Sequence, residues 1–172
     1  MKLFSRAALD ELAGKATASP RKRAHYNVHA SSADVVQRFF VAADRETYFR
    51  PHRHLTRSEF ALVLRGQFDV ITFDDTGRVV SRHSVGEGLP DMGFETPSAT
   101  WHTLLSRADG SVFLEIKEGP YDPATAAEFA PWAPAEGDAS VAAYSEWLRA
   151  GKPGESGVPN RPAFTDKSVP HV

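Results

Sequence analysis

Four side chains in this 172-residue sequence have the types and spacing of a metal-ligand set: His52, His54, Glu59 and His102. Residues two apart on a strand share a face, so His52 and His54 point the same way. Pro51, just before them, limits ladder pairing and suits a strand end or edge. Thr56-Arg57-Ser58 can turn the chain and start a new strand at Glu59, which brings a carboxylate beside the two imidazoles. His102 lies on a later β-type run, shortly after a Thr-Pro turn. Three imidazoles and one carboxylate form an N/O set suited to Zn, Fe, Ni, Mn or Cu. An octahedral ion in such a set keeps two positions open for water or substrate. A lone histidine on an apolar strand is more often a hydrogen-bonded core residue, so the argument rests on the set.

The elements that must position these residues are short and β-type. Runs at 35–42, 59–65, 67–73, 78–84, 100–106 and 111–118 are separated by turn signals at Gly66, Asp74-Asp75-Thr76-Gly77, Gly86-Glu87-Gly88, Thr96-Pro97 and Asp109-Gly110. Six short strands at this spacing predict a mainly β sandwich or barrel. Helical spacing predicts a short amphipathic helix over 3–13, and further helices over 124–130 and 138–150. Asp138 is the expected N-cap of the last helix, and Gly151 its end. The chain therefore divides into a helical lead (1–19), a β domain with a helical cap (20–150) and an irregular tail (151–172).

Composition narrows the chemistry. With no cysteine, thiolate zinc sites, iron–sulfur clusters, disulfides and cysteine nucleophiles are all excluded. The net charge of -2 gives no electrostatic case for nucleic acid. No stretch is apolar for the roughly 18 residues that a membrane helix needs. Asp10 and Glu11 fall where a secretory signal would be apolar, so a cytoplasmic location is expected.

The ligand spacing resembles the first motif of the cupin superfamily, G-x5-H-x-H-x(3,4)-E-x6-G, at His52, His54, Glu59 and Gly66, with Glu46 in place of the leading Gly. The second motif, G-x5-P-x-G-x2-H-x3-N, is matched at Pro97 and His102, while Asp91, Ala99 and Ser106 replace its Gly, Gly and Asn. The resemblance implies a single cupin (double-stranded β-helix, or jelly-roll) barrel with one divalent ion (Zn, Fe, Ni or Mn) on His52, His54, Glu59 and His102. Longer stretches look like the WbuC-type cupin-fold metalloproteins: Arg23-Ala-His25-Tyr-Asn27-Val-His29, Tyr48 to His54, Phe73-Asp-Asp-Thr-Gly77, Thr100-Trp-His102, Glu115 to Pro123 and Glu128 to Asp138. That family is associated with bacterial surface-polysaccharide (O-antigen) gene clusters, and cupins often pair as homodimers.

Around the ligands, strand parity sorts the candidates. Phe113, Glu115 and Lys117 share one face of their run, and Val112, Leu114 and Ile116 the other. Lys117, Tyr121 and His29 are the candidate proton carriers, although Glu115 and Lys117 read more simply as a solvated surface pair. Arg50 has the parity of His52 and would face the cavity to hold an anionic group, whereas Arg53 points outward. Arg23, His25, Asn27 and His29 share one face of an extended segment. Arg23 and Asn27 there are candidate substrate contacts, or the segment pairs with a partner subunit. Trp132 is expected to pack a C-terminal cap, and His83 and His171 carry no function.

Three functions compete. A metal-dependent enzyme, isomerase- or epimerase-like, would act on a sugar or nucleotide-linked sugar. The same ligands would also serve an iron-dependent oxygenase. A non-enzymatic, metal-stabilised sugar-binding module would need no acid/base group near the metal.

Overall fold

The computed structural model describes residues 1–157, so His171 and the expected tail from 158 onward lie outside the described residues. Its elements run α1 (Arg6–Ala18), β1 (Arg23–Asn27), β2 (Val36–Ala43), β3 (His52–Arg53), β4 (Glu59–Arg65) and β5 (Gln67–Phe73). They continue through β6 (Val79–Gly86), β7 (Gly93–Thr96), β8 (Trp101–Ser106), β9 (Ser111–Glu118), β10 (Glu128–Phe129) and α2 (Val141–Ala150).

Pairing is antiparallel and nested. β5 pairs with β6 as the central hairpin, and β4 with β7, β3 with β8 and β2 with β9 extend it outward. Folding that ladder over itself gives two five-stranded sheets, β1-β2-β9-β4-β7 and β10-β3-β8-β5-β6. This is the jelly roll. At its β4–β5 turn Gly66 takes φ +69°, and a Cβ there would lie 2.4 Å from Ser111 Oγ. Only glycine fits both demands.

Three apolar clusters make the layers. Val41, Ala61, Phe68, Val70, Leu104 and Phe113 fill the space between the sheets. Leu12 and Ala16 of α1 cover Phe40, Ala42 and Val112 on the outer face of the first sheet. Tyr144 and Leu148 of α2, with Ala130 and Ala133, cover Ile71, Phe73 and Trp101 on the outer face of the second. Trp132 packs against this outer cluster, on Phe73 and Trp101. The central strand β8 is consequently buried along its whole length.

The helices differ from their sequence-based limits. α1 starts later, because Ser5 accepts from the Ala8 N–H as N-cap, and it extends to Ala18, where Ser19-Pro20 stops it. α2 starts at Val141 rather than 138. Asp138 caps the turn before it, with Oδ1 accepting from the Ser140 N–H and hydroxyl. Gly151 does close the helix, donating its N–H to Trp147 O at 2.7 Å, and Arg82 Nε donates to Gly151 O at 3.1 Å.

The helix expected over 124–130 does not form. Pro123, Pro131 and Pro134 leave too short a window, and the segment instead supplies β10, which pairs with β3. Residues 151–157 are also tied down: Val79 N donates to Glu155 O and Gly154 N to Val79 O, both at 2.8 Å.

Candidate metal centre and cavity

Strand register assembles the four expected ligands. His52 on β3 lies directly opposite His102 on β8, and His54 follows just beyond β3. Glu59, the first residue of β4, reaches across from the other sheet. One ligand atom from each of His52, His54, Glu59 and His102 falls within 4.8 Å of the others. Three of the four are buried; His52 is the partly exposed one and, with Glu59, lines a cavity of about 550 Å³.

Each imidazole is oriented through Nδ1. His52 Nδ1 lies 2.9 Å from Arg50 O, His102 Nδ1 2.9 Å from Thr100 O, and His54 Nδ1 2.5 Å from Ala126 O. A ring that donates Nδ1–H to a carbonyl presents an unprotonated Nε2, the state a metal ligand requires. His102 Nε2 is buried with no hydrogen-bond partner. His54 Nε2 sits 2.8 Å from Glu59 Oε2, an acceptor facing an acceptor unless a proton or a cation lies between them. These residues therefore fit a divalent ion.

The charges are matched to that task. Burial would raise the Glu59 pKa, but the flanking His102 and His54 rings and the Lys117 charge hold it well below the usual carboxylate range. Burial, reinforced by neighbouring His102, pushes His52 down to about 3 and keeps it neutral.

Lys117 and Glu115 stand beside the ligands, and here the solvated-pair expectation is corrected. Their strand β9 runs between β2 and β4, so their face looks into the cavity. Lys117 Nζ lies 2.6 Å from Glu115 Oε1 and 3.5 Å from Glu59 Oε2. Burial and the Glu59 charge lift the Glu115 pKa to about 8, against the opposing pull of Lys117. Burial would lower Lys117, but Glu115 and Glu59 outweigh it and its pKa rises.

The remaining candidates separate. Arg23, His25 and Asn27 of β1 and His29 just beyond it all line the cavity, and β1 pairs with β2 of the same chain. Tyr121 lines it as well, half-exposed at the rim. His29 Nδ1 lies 3.0 Å from the Arg38 N–H, which leaves Nε2 as the free ring atom. Arg50 is not brought to the cavity: its Nη2 donates to Ala130 O at 3.0 Å, and its guanidinium lies over Phe129. Arg53 pairs with Glu128 at 2.8 Å outside the barrel.

Sequence reasoning missed several contributors. Ala126, inside the expected helix, supplies the carbonyl that orients His54. Phe39 and Phe49 form an apolar wall with Phe113, and only the strand parity of Phe39 with Val41 could have pointed to that. Ala99, at the motif's glycine position, adopts φ 60° and donates its N–H to His54 O at 2.7 Å.

The model of a domain of unknown function (DUF6016) matches residues 4–85, just under half of the chain. No curated protein matches the sequence significantly. Among solved structures, KdgF from Halomonas sp. is similar at 18% identity and TM-score 0.47, over 60% of this chain and 84% of its own. Oxalate decarboxylase from Bacillus subtilis is similar at 19% identity and TM-score 0.46, over 62% of this chain and 27% of its own. An oxalate oxidase in complex with the substrate analogue glycolate gives 18% identity and TM-score 0.49, over 67% and 58%. The jelly roll is read from the chain's own strand pairing, and the WbuC-type resemblance is carried by the sequence motifs alone.

Proposed function

We propose that this chain is a metal-dependent enzyme that moves a proton on a small sugar-like substrate, as an isomerase or epimerase does. His52, His54, Glu59 and His102 would hold one divalent ion. The observation that carries this reading is Lys117 and Glu115, set against the ligand carboxylate in a cavity of about 550 Å³. That volume lies within the range of small-molecule sites. A module that only binds has no use for an acid/base pair within reach of the ligands.

When bound, a divalent ion supplies Lewis-acid polarisation of a substrate carbonyl or hydroxyl. The chain's own groups do the rest. Glu115, with a pKa near 8, is poised to take a proton from carbon next to a carbonyl and return it to the neighbouring carbon. Lys117, kept charged by its two carboxylates, donates to the oxygen that gains negative charge and takes back the proton of the neighbouring hydroxyl as that carbon becomes the carbonyl. Phe39, Phe49 and Phe113 exclude water from that side. Tyr121 and His29 are the remaining proton-carrier candidates at the rim, and Arg23 and Asn27 the substrate contacts.

The WbuC-type resemblance supports a sugar or nucleotide-sugar substrate in bacterial surface-polysaccharide (O-antigen) synthesis, and the cupin resemblance a homodimer. The test begins with metal analysis of protein purified without chelators, where bound divalent metal is expected and its loss in His52→Ala/His54→Ala. Sugars incubated in D₂O should then gain deuterium, and Glu115→Gln and Lys117→Met should stop this while retaining metal. Metal-free wild-type protein would sink the reading. Abundant iron with substrate-dependent O₂ uptake would turn it to the oxygenase.

A further inference from the structure

The cavity's charge inventory narrows the substrate class, an inference that rests on the sugar-directed reading above. Its two cationic side chains are both already engaged. Lys117 is shared between Glu115 and Glu59. Arg23 donates from Nη1 to Tyr48 O at 2.6 Å, pairs through Nη2 with Glu136, and lies over the Phe49 ring 5.1 Å from its centroid.

Phosphate and pyrophosphate sites are built from uncommitted arginine or lysine, a glycine-rich loop or a helix N-terminus. Among the described residues lining this cavity none of these is present: no lining residue is glycine, and neither α1 nor α2 reaches the wall. Neither cation is therefore free to meet a phosphate group: Lys117 Nζ is held at 2.6 Å by Glu115 and 3.5 Å by Glu59, and Arg23 by Glu136.

What the wall does offer is neutral. Asn27, Ser31, Ser32 and Tyr121 present amide and hydroxyl groups, and Phe39, the cross-strand neighbour of Asn27, forms an apolar patch with Phe113 beside them. A polyhydroxylated ring matches both, with hydroxyls toward the rim and C–H faces toward the phenyl rings.

We infer that the cavity takes an unphosphorylated monosaccharide, such as a hexose or hexuronate, and excludes sugar phosphates and nucleotide sugars. Of the two substrate forms allowed above, the free sugar is therefore the one that fits.

Ligand-observed NMR and calorimetry on the full-length, metal-loaded protein test this with galactose, galacturonate, galactose 1-phosphate and UDP-galactose. Galactose or galacturonate is expected to bind at least tenfold more tightly than either phosphorylated compound. Phe39→Ala should weaken that binding without changing metal content. Glu136→Gln, which releases Arg23 from its partner, is expected to raise galactose 1-phosphate affinity several-fold. Tighter binding of galactose 1-phosphate or UDP-galactose by the wild type would overturn the inference, as would binding of none of the four. Failure of the enzyme reading shows separately, as a metal-free wild type or as sugar binding without deuterium incorporation.

Discussion

At the residue scale, the site depends on what lies behind each ligand. Three backbone carbonyls, at Arg50, Thr100 and Ala126, orient three rings, so the inward nitrogens are set by main-chain geometry. Ala99 shows the same dependence from the other side. Its φ of 60° costs a side-chain-bearing residue energy that glycine does not spend, and its N–H holds the backbone of His54. Ala99→Gly is therefore expected to stabilise the fold by about 0.5–1 kcal/mol, after the extra entropy of glycine in the unfolded chain is counted. A higher urea midpoint with unchanged slope is the readout; a lower midpoint would refute the strain argument.

At the element scale, short strands position the chemistry because turns and cross-strand neighbours fix their register. Gly66 is the clearest case. Gly66→Ala would meet both the positive φ and Ser111, and should cost about 1–3 kcal/mol in chemical denaturation. The segment before α2 is linked to β1 through Glu136, which pairs with Arg21 at 2.8 Å and with Arg23. Burial would raise the Glu136 pKa, but the two guanidiniums outweigh it and hold it below the ordinary value of 4.5. A depressed carboxylate stabilises the folded state above its unfolded pKa, and this is lost as pH falls through the lower folded value. Thermal melts below pH 4.5 should therefore show a shallower acid loss in Glu136→Gln than in the wild type. Identical acid limbs would show that the pair contributes nothing.

At the scale of the whole molecule, the four layers hold both sheets from both sides, and the ligands come from β3, β4 and β8 and the turn after β3. An ion bound across the two sheets stabilises the fold by mass action, since the unfolded chain has no assembled site. Chelation should lower the melting temperature of wild-type protein, and re-added metal should restore it, while His102→Ala should melt at the chelated value with or without metal. A chelator-insensitive wild type would argue against an ion at this centre.

The sequence by itself determined the four candidate ligands, the β runs around them and the exclusion of thiolate chemistry, because spacing along a strand is a local property. It fixed β4, β5 and β9 to the residue, since apolar alternation and flanking turns are written in the same few positions. Tertiary structure alone decided what lay beyond them. Residues 124–130 have helical composition, but flanking prolines and the open edge of β3 made a strand of part of that stretch. Glu115 and Lys117 are as polar as any surface pair. Their strand lies between two others with its face turned inward, and that long-range placement sets a buried Glu–Lys pair beside the candidate ligands.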